Sequence, residues 1–178
     1  MPVGTGRFFQ YYSSVNSVIG LDISENMLSE AKKKLDIVSY NMPIKLELGD
    51  IFSLHFEDEE FDSAIVFRLF HLIPEVSLSL AIKELCRVVN NDILVQSYVP
   101  ISRFYQFRQK LINRLSFNSS VAKTEEVKTP WSHIQSYCHK QSLLNNEFKK
   151  YNLFPSTYKR LDIYGSCEVR ATIYSKKN

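Results

Sequence analysis

The chain opens MPVGTGRFFQYYSSVNSVIGLD, residues 1–22, and the fold follows from how that stretch is read. Gly4 and Gly6 mark a tight turn, P-V-G-T-G. Glycine reaches positive φ without a Cβ penalty and lets backbone approach a ligand closely. Thr5 to Tyr12 reads as a helix opened by that turn. Free N–H groups at such a helix start favour a carboxylate or phosphate. Val15 to Leu21 is β-branched and almost uncharged, the pattern of a buried parallel strand, and it runs into Asp22. An acid at the carboxyl end of such a strand can accept two hydrogen bonds from a ribose diol. The dinucleotide pattern G-x-G-x-x-G asks for a third glycine where this chain has Phe9, which disfavours a nicotinamide cofactor.

Moving outward, Ser24 is a good helix N-cap and Glu25 suits a first turn. Met27, Leu28, Ala31 and Leu35 then share a face, with Lys32 to Lys34 on the other. Ile44, Leu46 and Leu48 alternate with Lys45 and Glu47, as in a half-exposed strand at a sheet edge. Gly49 and Asp50 end it. Glu57 to Glu60 reads as a solvated turn before F-D-S-A-I-V-F, 61–67, a buried strand. Pro74 and Glu75 start a helix whose apolar face reads Val76, Leu80, Ala81, Leu85 and Val88. Asn90-Asn91-Asp92 reads as a turn before strand Ile93 to Ser97. Strands alternating with helices call for βαβ units and a mostly parallel sheet.

Composition sets bounds. A chain of 178 residues, 44% hydrophobic and 23% charged, suits one globular domain with a sizeable core. The net charge of +3 is too small to argue for nucleic acid without a clustered basic face. No apolar run reaches membrane-spanning length and no signal-peptide pattern appears. Cys86, Cys138 and Cys167 are odd in number and far apart, so neither a disulfide frame nor a zinc knuckle is indicated. A reducing, cytoplasmic setting is the expectation.

P-V-G-T-G-R-F and V-I-G-L-D-I-S-E-N-M-L resemble the first two motifs of class I S-adenosylmethionine-dependent methyltransferases. L-G-D at 48–50, F-D-S-A-I-V-F-R-L-F-H at 61–71 and I-L-V-Q-S at 93–97 extend the likeness to about residue 100. The resemblance implies a Rossmann-like α/β fold with a C-terminal antiparallel strand pair, and S-adenosylmethionine as cofactor. It places Pro2, Val3, Gly4 and Gly6 by the methionine part, Asp22 on the ribose, and Ile23 and Met27 over the adenine or sugar edge. It gives Asp50 the adenine amino group and Ile51 the ring face, with Phe67 and Arg68 at the end of a further strand beside the cofactor. Asp22 and Asp50 also read as simple turn caps. His71 is the candidate general base, because an imidazole titrates near neutral pH. Its other reading is packing beside the cofactor. No metal site is expected.

In this family a first strand, ending in an acid, comes before the position of Pro2 and lies between the strand ending at Asp22 and the one ending at Phe67. The sequence begins at that strand's exit, so an N-terminally truncated domain is the expectation, with two inner sheet edges left to be covered.

Past Pro100 the likeness is one of layout. Arg103 to Leu115 is amphipathic and reads as a lid, with weak contact to a membrane surface as a further role. Residues 116–130 read as a polar loop. Trp131, His133 and His139 are candidates to line the same cleft. Gln141 to Tyr151 reads as a helix, and Ser156–Leu161 with Val169–Tyr174 as an antiparallel pair around Gly165. The whole is expected to be one domain, 1–178, with 98–140 an acceptor-side insertion. Methyl transfer to a small molecule is the function implied. The alternatives are a non-catalytic binding module of the same fold and a nicotinamide-dependent oxidoreductase.

Overall fold

A computed structural model describes residues 2–101, 136–164 and 166–177. The elements run β1 (Val18–Asp22), α1 (Glu25–Ile37), β2 (Ile44–Leu48), β3 (Phe61–Val66), α2 (Glu75–Val88), β4 (Val89–Pro100), α3 (Gln141–Lys149), β5 (Leu153–Tyr164) and β6 (Cys167–Lys176). The fold is α/β, of Rossmann-like type.

The described strands form two sheets. β1 pairs with β2 in parallel, Val18 opposite Ile44 through Asp22 opposite Leu48. The second sheet has the order β3-β4-β6-β5. β3 and β4 are parallel; β4–β6 and β5–β6 are antiparallel. The parallel pairs belong to βαβ units, and the closing hairpin supplies the expected antiparallel pair.

Most of the core lies on the larger sheet. Ile82, Leu85 and Val88 of α2 and Leu144 and Phe148 of α3 pack with Val66, Ile93, Val95 and Tyr174 of the strands. Phe148 stacks on Tyr174 with ring centres 3.9 Å apart. By contrast, Ala31 alone is buried on α1. Met27 is exposed, so the apolar stripe read from the sequence is only partly covered.

Several local expectations are corrected. Thr5–Tyr12 is not a helix; only Phe9–Tyr11 makes a short 3-10 turn. Gly4 and Gly6 both take positive φ, which interrupts the helical run just before it. β1 begins at Val18, not Val15. The 61–67 strand is not buried throughout, since Asp62 and Ser63 are exposed. On α2 the covered face is Leu78, Ala81, Ile82, Leu85 and Cys86, whereas Val76 is 86% exposed and Leu80 57% exposed. The helix carries apolar residues on more than one face, and the sheet covers only one. Asn90–Asp92 is strand, not turn: α2 runs directly into β4. The register shifts there, with Phe61 opposite Val89 but Ser63 opposite Asp92. A bulge therefore absorbs the extra residue.

Ser24 caps α1 as expected, its hydroxyl accepting from the Met27 N–H at 3.4 Å. The Arg103–Leu115 lid, the 116–130 loop, Trp131, His133 and Gly165 lie outside the described residues.

Candidate functional site

Asp22 is the hub at which the sequence motifs meet. Val3 N–H donates to the Leu21 carbonyl at 2.8 Å, and Gly49 N–H to the Asp22 carbonyl at 3.0 Å. The Asp22 carboxylate accepts from Gly4 N–H at 2.8 Å and from Ser24 N–H at 3.0 Å. The glycine turn, the end of β1, the start of α1 and the turn after β2 are thus tied to one residue, itself 5% exposed. The sequence reading gave this carboxylate to a ribose. In the structure each oxygen already receives one backbone N–H. Charge-assisted bonds of this kind are the stronger class and fix the loop. A carboxylate oxygen accepts twice, so acceptor capacity remains.

The two turn glycines differ. A Cβ on Gly4, at φ +54°, meets nothing within 4 Å. A Cβ on Gly6, at φ +67°, lies 2.3 Å from the Phe9 ring. Gly4 therefore faces open space, while the space over Gly6 is filled from inside the chain. Val3 packs on Gly20, whose Cβ position lies 2.8 Å from the Val3 side chain.

Ile23 is 69% exposed and Met27 is exposed beside the hub. Asp50 caps its own turn, accepting from Phe52 N–H at 3.0 Å. Ile51 is buried in the main core, so its side chain is not presented at the surface. Phe67 meets Phe8 edge-on at 5.3 Å. Arg68 has φ +58° and its N–H donates to Gln96 Oε1 at 3.1 Å. Among the described residues it makes no ion pair with Asp62 or a glutamate.

His71 sits half-buried in the short turn Phe70–Leu72. Its ring meets Tyr98 edge-on at 4.6 Å. Its carbonyl accepts from Tyr137 N–H at 2.7 Å, and the Tyr98 carbonyl accepts from His139 N–H at 2.8 Å. Burial first, then the Arg68 guanidinium and the neighbouring His139, lower the His71 pKa to about 4. The imidazole is therefore neutral at ordinary pH. His139 is buried, with Nε2 2.9 Å from the Phe70 carbonyl oxygen, so it packs under the turn.

Tyr98 was not singled out from the sequence. Its signal is alternation in β4, which puts Gln96 and Tyr98 on one face, next to Arg68 and His71 respectively. A second correction concerns the cysteines. Cys138 and Cys167 form a disulfide, Cα atoms 6.5 Å apart, because the 136–140 stretch returns beside the start of β6. Proximity of that kind has no signature in spacing. Among the described residues no cluster of ligating side chains could hold a metal, and no helix is long and apolar enough to cross a membrane.

Comparison with known proteins follows the same lines. Residues 1–92 match a family model described as "Methyltransferase domain". Phosphatidylethanolamine N-methyltransferase of Cereibacter sphaeroides is 26% identical over 125 residues, 67% of this chain and 62% of that protein. Demethylmenaquinone methyltransferase of Desulfitobacterium hafniense is 28% identical over 158 residues, 88% of this chain and 57% of the relative. The chain thus spans about 60% of the length of these relatives. Among solved structures, magnesium protoporphyrin IX methyltransferase of Synechocystis PCC 6803 with bound SAH superposes with a TM-score of 0.70 at 16% identity. That match covers 99% of this chain and 72% of the other.

Proposed function

This chain belongs to the methyltransferase domain family, and on that premise we propose that it binds S-adenosylmethionine at the Asp22 hub and methylates a small molecule. The observation that carries the reading is the open face of Gly4 beside Asp22, where a Cβ would meet no atom. That cradle fits a ligand bound close to the backbone. Pro2, Val3 and Gly4 would border the methionine part, with Gly6 setting the turn. Asp22 would hold the loop and offer its remaining acceptor positions to the ribose. Ile23 and Met27 would cover the sugar and adenine edge, and Asp50 would accept from the adenine amino group. Ile51 would act from beneath, as a floor. Phe67 and Arg68 would border the cofactor from the β3 side.

The bound cofactor would supply an electrophilic methyl group on a positively charged sulfur. The chain's work is alignment, since displacement at the methyl carbon is in-line and gains most from a held geometry. An acceptor taking that methyl group would have a proton to shed. Neutral His71 has a lone pair to take that proton, and Tyr98 holds its ring. A pKa near 4 makes it a weak base, so His71 serves an acceptor that is already acidic, or else it packs. The named relatives carry names for a phospholipid, a quinone and a porphyrin methyltransferase, which supports a small organic molecule as the acceptor here. We keep 1–178 as one domain with 98–140 as the acceptor-side region. Weak contact between 103–115 and a membrane surface remains part of this reading. A cytoplasmic site would require the Cys138–Cys167 bond to persist against a reducing pool.

Titration calorimetry tests the cofactor. S-adenosylmethionine and its demethylated product should bind, and Asp22→Ala should weaken both by about 1–3 kcal/mol, the scale of a lost bond to a charged group. No binding of either overturns the proposal, and NADH binding in their place would favour an oxidoreductase. Binding without methyl transfer to any acceptor tried would favour the binding-module reading.

A further inference from the structure

The stretch 136–140 has no regular secondary structure, yet it is fastened to the turn that carries His71. Tyr137 N–H donates to the His71 carbonyl, His139 N–H to the Tyr98 carbonyl, and His139 Nε2 lies 2.9 Å from the Phe70 carbonyl oxygen. Between these two anchoring residues stands Cys138, bonded to Cys167 at the start of β6.

The two ends of that bond differ. Cys138 is exposed, whereas Cys167 is 6% exposed. Cys167 is already fixed by pairing with Pro100 on one side and Tyr164 on the other. The chain after Lys140 is fixed by α3, whose Leu144 and Phe148 lie in the main core. Neither Cys138 nor Cys167 belongs to that core. The scaffold therefore gains little from the bond, and the stretch 136–140 gains most of it. The third cysteine, Cys86, is buried, and burial pushes its thiol up to about 12, so it does not compete as a thiolate.

We propose that Cys138 is a thiol–disulfide exchange site: a dithiol opens the Cys138–Cys167 bond in the folded chain, and the bond is a latch that holds 136–140 against the His71 turn. One thiolate of the dithiol attacks the exposed Cys138 sulfur, and Cys167 leaves as a thiolate and takes a proton. The second thiol of the dithiol then attacks its own sulfur in the mixed disulfide and releases Cys138. Two electrons and two protons pass to the chain, and the dithiol becomes a cyclic disulfide. With the latch open, only the three hydrogen bonds hold the stretch, and it opens more often. Any effect on methyl transfer rests on His71 being an acceptor-side residue; the latch itself does not.

The groups that face His71 are Arg68, His139 and, edge-on, Tyr98. Only His139 lies on the latched stretch, and its departure would also reduce burial of the imidazole. The experiment compares the full chain, oxidised and after dithiothreitol, with Cys138→Ser as a chain that cannot latch. Iodoacetamide with mass spectrometry should find Cys138 alkylated in the folded, reduced chain and Cys86 untouched. Reduction should speed amide exchange at Tyr137 and His139 at least about tenfold, with β4 and β6 unchanged. The His71 ring, followed by NMR, should titrate near 4 when oxidised and closer to 6.5 when reduced. Cys138→Ser without reductant should reproduce the reduced chain. A bond that yields to dithiothreitol only in urea, exchange that speeds equally in β4 and β6, or one His71 titration in both states overturns the proposal. A lowered thermal midpoint with unmoved Tyr137 and His139 amides marks a structural staple and overturns it equally. These readouts use no cofactor, so absent S-adenosylhomocysteine binding would sink the cofactor reading alone.

Discussion

The β1–β2 half and the β3-β4-β6-β5 half hold their shape by different means. The larger half is held by side chains: two helices and a four-stranded sheet share one apolar core. The smaller half lends Leu21 of β1 to that core and is otherwise held largely by backbone. Its helix buries only Ala31, and its loops are pinned through Asp22 to Gly4, Ser24 and Gly49. The candidate cofactor residues lie mainly in the half with less packing. Sites that must admit a ligand draw on such regions, because a packed core leaves no space for one.

The largest expected effect tests the packed half. Phe148, fully buried between Phe70 and Tyr174, should cost about 3–5 kcal/mol as Phe148→Ala, the range for a truncated core aromatic. Leu35→Ala on α1, only half-buried, should cost about 1 kcal/mol in the same urea titration. Comparable losses at both positions would break the contrast.

The next test cuts what joins the halves. Arg87, in the last turn of α2, donates to the Leu54 carbonyl at 2.8 Å and the Phe56 carbonyl at 2.7 Å. It also pairs with Glu84 and Asp58. These partners hold the segment that leads from β2 to β3. Arg87→Ala should lower stability less than Phe148→Ala does and should speed amide exchange in β1 and β2 more than in β4 and β6. Uniform acceleration would show that the two halves open as one unit.

The third effect is a pH dependence at His71, on the larger half. The His71 pKa falls from the usual 6.5 to about 4 on folding, so between those values the unfolded chain binds more protons. The stability contributed by the neutral imidazole is present above pH 6.5 and is lost as pH falls towards 4. His71→Gln should flatten that slope by about 1–2 kcal/mol across the window, discounted for partial exposure. An unchanged slope would remove His71 from the balance. The smallest effect is Ser24→Ala, about 0.5 kcal/mol for an exposed and long cap bond, read from the same denaturation curves.

What the sequence disclosed follows this division. V-I-G-L-D announced a parallel strand ending in an acid because β-branched residues and one charge carry that signal locally. The Ser24 cap and the β5–β6 hairpin were legible for the same reason. The face of α2 was not, since Val76 and Leu80 keep helical spacing as well as Leu78 and Ile82 do, and only the sheet's position chooses between them. Asn90-Asn91 has turn chemistry, and pairing with β3 overrode it through a bulge. Asp22 was legible as a key residue, but its backbone partners were not. Gly4 N–H is eighteen positions away, and a one-dimensional pattern shows a carboxylate without showing its donors. The Cys138–Cys167 bond escaped for the same reason.

The anchoring around Tyr98 bears on how freely this chain can change. Ile101 N–H donates to the Ser166 carbonyl where the 102–135 stretch departs. Tyr137 and His139 bind the His71 and Tyr98 carbonyls where the chain returns, and Cys138 is bonded to β6. Departure and return are fastened to the same sheet end. Lengthening a stretch with fixed ends is thermodynamically mild, about 0.6 kcal/mol for each doubling. Insertions or deletions made between these two anchors should therefore leave the pairing of β4 with β6 in place.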